Sequence, residues 1–190
     1  MPELSKKNEA AGGARRDKIL DAAIQVFGRQ GFRKTSVDEL AAAAAISKPG
    51  LYLHFRSKEE LINAAFERYF AEGLAQADAA LKKPGANLAQ RLHGALDAWF
   101  GRHLATFGAE SRGELERASA RAAAAEEQLR TRLAKAIAEA PESKKARNSC
   151  SPKEQAQALT WSGLSWKEEE QSRAEFMKKM QICIRACCQL

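Results

Sequence analysis

Apolar residues recur along this chain at helical spacing, and no stretch of useful length alternates in the manner of a strand. Ile19, Ala22, Ala23, Val26 and Phe27 fall at i, i+3, i+4, i+7 and i+8, one face of a helix that is predicted to begin at Arg15. Gly31 is its expected stop, because glycine adopts the left-handed backbone of a helix end at little cost. Ser36 and Glu39 form a capping box that predicts a second helix through Ala44. A third, short helix is expected over Ser47–Phe55. A fourth runs from a second capping box, Ser57 to Glu60, to about Leu81, with Leu61, Ala65, Phe66, Tyr69 and Phe70 turned inward.

Pro84-Gly85 then breaks the chain. A fifth helix is predicted over Asn87–Phe107, with Leu88, Leu92, Ala95, Leu96, Trp99, Phe100, His103, Leu104 and Phe107 on one broad face. Gly108 and Gly113 interrupt the pattern before a further helix, roughly Glu114–Ala140. Residues 141–151 read as a polar loop, and Ser151-Pro152 restarts a helix with serine as cap and proline in the first turn. The final helix covers about Ser172–Cys188. The fold class expected is all-α, with residues 1–13 forming a polar, flexible basic arm.

Charge sharpens this picture. The net charge is +7, and residues 1–58 hold 11 of the 31 Lys and Arg against 6 of the 24 Asp and Glu. The basic excess therefore lies in the first third, a pattern suited to a polyanion-binding head on a nearly neutral body. The longest apolar run is too short for a membrane span, and the N-terminus lacks a signal-peptide core, so a soluble, cytoplasmic protein is expected. Cys150, Cys183, Cys187 and Cys188 make no secreted framework. Cys183 and Cys187 share a helix face, which leaves a thiol or soft-metal site conceivable. The commoner reading is of small buried hydrophobes. His54, His93 and His103 have no metal-ligand spacing, and no P-loop, dinucleotide fingerprint or nucleophile elbow is present. No enzyme, cofactor or metal is expected.

The second and third helices are joined by only Ala45-Ile46, which forces a steep crossing of the helix-turn-helix kind. Leu40, Ile46, Leu51 and Phe55 can turn inward, while Lys48, Pro49 and Tyr52 remain outward. Ile19-Leu20-Asp21-Ala22-Ala23, Phe27-Gly28-x-x-Gly31-Phe32, Thr35-Ser36-Val37-x-x-Leu40-Ala41 and Ser47-Lys48-x-x-Leu51-Tyr52-x-His54-Phe55-x-Ser57-Lys58-Glu59-Glu60-Leu61 together resemble the DNA-binding domain of TetR/AcrR-family transcriptional regulators. The resemblance covers about a third of the chain, in order and without gaps. It implies a three-helix DNA-binding domain over 14–73, with the helix-turn-helix at 36–55, and a helical ligand-binding and dimerisation domain over 74–190. It also implies a homodimer on double-stranded DNA, probed by an unidentified small-molecule effector.

By that resemblance Ser36 and Val37 approach the DNA backbone, Lys48, Pro49, Gly50, Tyr52 and His54 serve the recognition helix, and Lys58 clamps a phosphate. Ala45 stands where glycine is usual, at a cost of about 1 kcal/mol if the backbone there is left-handed. Lys48 precedes Pro49, which disfavours a helical backbone at Lys48. Leu53 is open between surface and contact. Trp99, Phe100, His103, Phe107 and Trp161 are the candidate ligand-binding set, although aromatic stripes at helix spacing are usually core. The last two helices are the expected dimer interface, through Ala156, Leu159, Thr160, Gly163 and Leu164 with Phe176, Met177, Met180, Ile184 and Cys187. The main alternative is a nucleoid-like helical protein that binds DNA without sequence choice; a further one is an interaction module whose helix-turn-helix never touches DNA.

Overall fold

A computed structural model describes residues 2–107, 119–141, 150–169 and 172–188, with side chains described outside 2–12, 119 and 167–169. The described chain is helical without strands. Its elements are α1 (Pro2–Gln30), α2 (Val37–Ala43), α3 (Lys48–Tyr52), α4 (Lys58–Leu81), α5 (Leu88–Leu96), a π-helical turn (Asp97–Gly101), α6 (Arg102–Thr106), α7 (Ser119–Glu139), α8 (Pro152–Glu169) and α9 (Arg173–Cys188). Two compact units emerge. One holds the chain to Tyr69 together with Thr106 and Phe107; the other holds Phe70–Ala105 and the chain from Ser119. Gly108, Gly113 and the predicted helix start at Glu114 lie outside the described residues.

In the N-terminal unit, Ile19, Leu20, Ala23, Val26 and Phe27 of α1 are buried with Leu40, Leu51, Phe55, Leu61, Ala65 and Phe66. Each large side chain taken from water contributes about 1.5–3 kcal/mol, which fixes the two short helices α2 and α3 that could not persist alone. Phe107 joins this core, its ring 5.3 Å from Tyr69 and 6.3 Å from Phe66. Gly31 closes α1 at φ 77° with its N–H donating to the Phe27 carbonyl. Gly28 lets the Thr106 carbonyl approach so closely that an added Cβ would lie 2.1 Å from its oxygen. Arg68 of α4 binds Asp17 and Asp21 of α1 at 3.0 and 2.8 Å.

One expectation is corrected here. The segment read as a flexible arm is helical, so α1 begins at Pro2 rather than Arg15. Extending an anchored helix adds a hydrogen bond per residue without a new nucleation cost, and Glu, Lys and Ala in this stretch favour it.

The second unit packs α7, α8 and α9 around α5, with Leu88, Leu92, Leu129, Leu133, Ile137, Leu159, Met180 and Ile184 buried. The fifth helix departs from its predicted continuous form at the π-helical turn, which carries Asp97 to Gly101. Asp97 receives two hydrogen bonds from Arg173, at 2.8 and 2.7 Å, and its Oδ1 occupies the space a Cβ on Gly101 would need. The extra residue in the turn sends Trp99 and Phe100 to different neighbours: Trp99 stacks on Phe70 at 5.9 Å, and Phe100 lies 6.0 Å from Phe176. Gly163 makes room for the Phe100 ring, which would meet a Cβ there at 2.4 Å.

Candidate nucleic-acid interface

Local sequence chemistry builds the crossing of α2 and α3. The Ser36 hydroxyl accepts from the Glu39 N–H, and the Glu39 carboxylate accepts from the Ser36 N–H at 2.7 Å, completing the capping box. The hydrogen bond from the Ser36 N–H, and then those from the Ser36 and Gln30 side chains, hold the Glu39 carboxyl below the ordinary carboxylate range, with the Lys58 charge adding a smaller push. At the other end of α2, the Ile46 N–H donates to the Ala41 carbonyl and the Ala45 N–H to the Ala42 carbonyl. This is a Schellman closure, which demands a left-handed residue at Ala45, and Ala45 has φ 53°. Ser47 then caps α3, its hydroxyl accepting from the Gly50 N–H at 3.1 Å. Pro49 fits within the first turn, where its missing N–H costs nothing, and Lys48 is accommodated as the first helical residue.

Only Leu51 of α3 is buried, with Phe55 just beyond it. Lys48 and Pro49 are exposed, Tyr52 is 46% exposed and Leu53 86%. Gly50 and His54 are half-buried, as is Val37, while Ser36 is exposed. The helix thus turns one apolar tooth inward and presents a cation, an aromatic hydroxyl and a leucine outward. Such a surface can offer hydrogen bonds to base edges and phosphates and an apolar contact to a thymine methyl. Lys48 also bonds Asp38 at 3.0 Å, a pair exposed enough for a phosphate to displace the carboxylate. Leu53, left open by the sequence, is the most exposed large apolar side chain described.

Lys58, expected as a phosphate clamp, is half-buried and has intramolecular partners. Its ammonium donates to the Phe32 carbonyl at 2.8 Å and lies 4.3 Å from the centre of the Phe32 ring. It braces the α1–α2 connection from the start of α4.

Trp99, Phe100 and His103 are buried in the second unit, Phe107 belongs to the N-terminal unit, and Trp161 stands on the surface at 60% exposure. The second unit has a groove of about 450 Å³ beside the start of α5, lined by Asn87, Gln90, His93, Gln181 and Arg185 among others. The polar run Asn87, Gln90, His93 along α5 was the available sequence signal for it, and part of it was read only as a helix start. Of the expected interface residues, Ala156, Leu159, Thr160, Gly163, Phe176, Met177, Met180 and Ile184 are buried within the protomer, while Leu164 and Cys187 are half-buried. Outward on α8 and α9 stand Trp161 and Ile182, the latter 68% exposed.

A buried three-helix head with an outward second helix in its turn motif defines a helix-turn-helix protein. Comparison with known proteins narrows this. Residues 19–65 match the family model described as bacterial regulatory proteins, tetR family. The HTH-type transcriptional activator FasR of Mycolicibacterium smegmatis is 40% identical over 86 residues, 45% of this chain and 39% of its own length. The HTH-type transcriptional regulator AcrR of Shigella flexneri is 33% identical over 64 residues, 34% of this chain and 30% of its own. The chain thus spans well under half the length of these curated relatives. Among solved structures, reduced Escherichia coli NemR superposes with a TM-score of 0.73 at 20% identity, over 92% of this chain and 97% of that one. A TetR-family regulator from Streptomyces coelicolor superposes at 0.64 and 21% identity, over 92% and 80%. Residues 19–65 thus carry the segment that the tetR family model describes, and no described helix is long and apolar enough to cross a membrane.

Proposed function

We propose that this protein is a ligand-responsive repressor that binds a pseudo-palindromic operator as a homodimer. The observation that carries the reading is the outward face of α3, where Lys48, Pro49, Tyr52 and Leu53 are all exposed on a helix anchored by Leu51. One such helix covers too few base pairs for a specific site at physiological salt, so two copies must read two half-sites. The apolar side chains left outward on α8 and α9, Trp161 and Ile182, support a helix-bundle interface between copies.

The groove at Asn87, His93 and Arg185 is large enough for a small effector, since pockets for such molecules begin near about 300 Å³. Residues of α4 contribute to both units, so a ligand that prefers one setting of α4 would bias operator binding. Couplings of this kind are typically about 1–3 kcal/mol, or roughly 5- to 150-fold in affinity.

Gel shift on genomic fragments with excess competitor DNA tests the reading. A discrete fragment should be retained by the wild type and released by Tyr52→Ala. A protein that coats all fragments alike would instead be the nucleoid-like alternative. Sedimentation at several concentrations tests the dimer, which Trp161→Arg should dissociate.

A further inference from the structure

The chain's four cysteines, distant in sequence by up to 38 positions, gather at one end of the α8–α9 pair. Cys183 and Cys187, one helical turn apart on α9, hold their sulfurs 3.7 Å from each other. Both are half-buried, and Cys183 also bonds the Ser162 hydroxyl of α8 at 3.4 Å. Cys188 is buried, while Cys150 precedes α8 and is exposed. We propose that Cys183 and Cys187 form a bidentate dithiol site for a trivalent, thiophilic arsenic centre carrying one organic group.

The geometry selects this chemistry over two others. Cβ atoms one turn apart on a helix are separated by about 5–6 Å, whereas a disulfide needs about 3.5–4.5 Å. Joining the sulfurs directly would therefore unwind α9. A single atom placed between them meets no such strain: with sulfur bonds of about 2.3 Å, as in zinc thiolates, a 3.7 Å separation corresponds to an angle of about 107°. A bare metal ion would ask for more protein donors, and no group of three or more metal-binding side chains occurs among the described residues. A monosubstituted arsenical needs two.

The site's protonation fits the same ligand. Burial, and then the neighbouring Cys183, push the Cys187 thiol up to about 12, so it is poorly reactive as a free thiolate at neutral pH. An arsenical R–As=O takes the protons along. Two S–As bonds form, the arsenic–oxygen bond breaks, and the oxygen leaves as water with the two thiol hydrogens. Arsenic remains trivalent and nothing is oxidised.

Phenylarsine oxide is the probe, added to the full reduced chain. One phenylarsenic per chain should bind, two of the four cysteine thiols should become unreactive to a thiol reagent, and a small dithiol should restore them. Trypsin cuts at Arg185, between the two cysteines, so digestion should yield the Cys183 peptide joined through arsenic to the peptide that begins at Ala186. This readout uses the unaltered protein. Cys183→Ala should abolish the adduct, while Cys150→Ala and Cys188→Ala should retain it, each with helix content unchanged by circular dichroism. Absence of any adduct would overturn the assignment. So would arsenic confined to the peptide beginning at Ala186, which holds Cys187 and Cys188, or an adduct that survives Cys183→Ala. None of these results depends on whether the protein binds DNA.

Discussion

Ala45 offers a test of the turn between α2 and α3 that no packing effect confuses, because its side chain is exposed. At φ 53° an alanine bears a left-handed backbone that costs about 1–2 kcal/mol relative to a relaxed conformation. Glycine removes that cost but raises the entropy of the unfolded chain, worth about 0.4–1 kcal/mol against folding. The balance leaves Ala45→Gly more stable by roughly 0.5–1 kcal/mol. Ala45→Val adds a β-branch where the backbone tolerates it least and should lose about 1 kcal/mol or more. For a chain of this size 1 kcal/mol moves the melting temperature by about 2–4 °C, and the urea midpoint should shift with an unchanged slope. Glycine at an ordinary helical position would instead destabilise by about 0.5–1 kcal/mol. If Ala45→Gly lowers the midpoint and Ala45→Val leaves it alone, the Schellman closure is wrong.

Three further outcomes follow from the N-terminal unit. Lys58→Ala should cost roughly 1–2 kcal/mol in urea unfolding, through the lost hydrogen bond to Phe32 and the lost ring contact, while the salt dependence of DNA binding keeps its slope; a slope flatter by about one would return Lys58 to a phosphate. Gly28→Ala drives a Cβ into the Thr106 carbonyl and should destabilise by about 1–3 kcal/mol, whereas a neutral result would deny that close approach. The folded-state pKa of Glu39 is depressed, so its contribution is complete above the usual carboxylate range and is lost as pH falls through the lowered value. Amide exchange in α2 should therefore quicken in acid in the wild type, and Glu39→Gln should blunt that dependence; equal acid sensitivity in both proteins would refute the capping-box account.

The head was legible in the sequence because its determinants are local. Ser36 with Glu39 and Gly31 after Phe27 act over three or four residues and appear in the structure as read, and Ser47 adds a cap on the Gly50 N–H where a helix start was expected. Even the strain at Ala45 was anticipated, because the resemblance places glycine at that turn position and Ala45 has φ 53°. What the sequence hid depends on partners far along the chain. The ammonium of Lys58 turns to Phe32, 26 residues away, and the π-helical turn rests on Arg173 binding Asp97 across 76. Periodicity identifies apolar faces but not which of two candidate surfaces they meet. Phe176, Met180 and Ile184 were assigned to a partner copy and instead fill their own core, while Trp161, assigned to a pocket, faces outward. The start of α1 was misjudged for a related reason: composition signals solubility in residues 1–13 and says little about helix extension.

The account turns on the exposed face of α3 meeting a duplex in a sequence-dependent way. Selection of bound sites from random duplex DNA, followed by titration of the best site against a scrambled one at fixed salt, measures this directly. The account predicts a two-fold symmetric site bound about 10³-fold or more tighter than the scrambled duplex, with that ratio collapsing in Tyr52→Ala. Equal affinity for both duplexes, or a preference untouched by Tyr52→Ala and Lys48→Ala together, would contradict it.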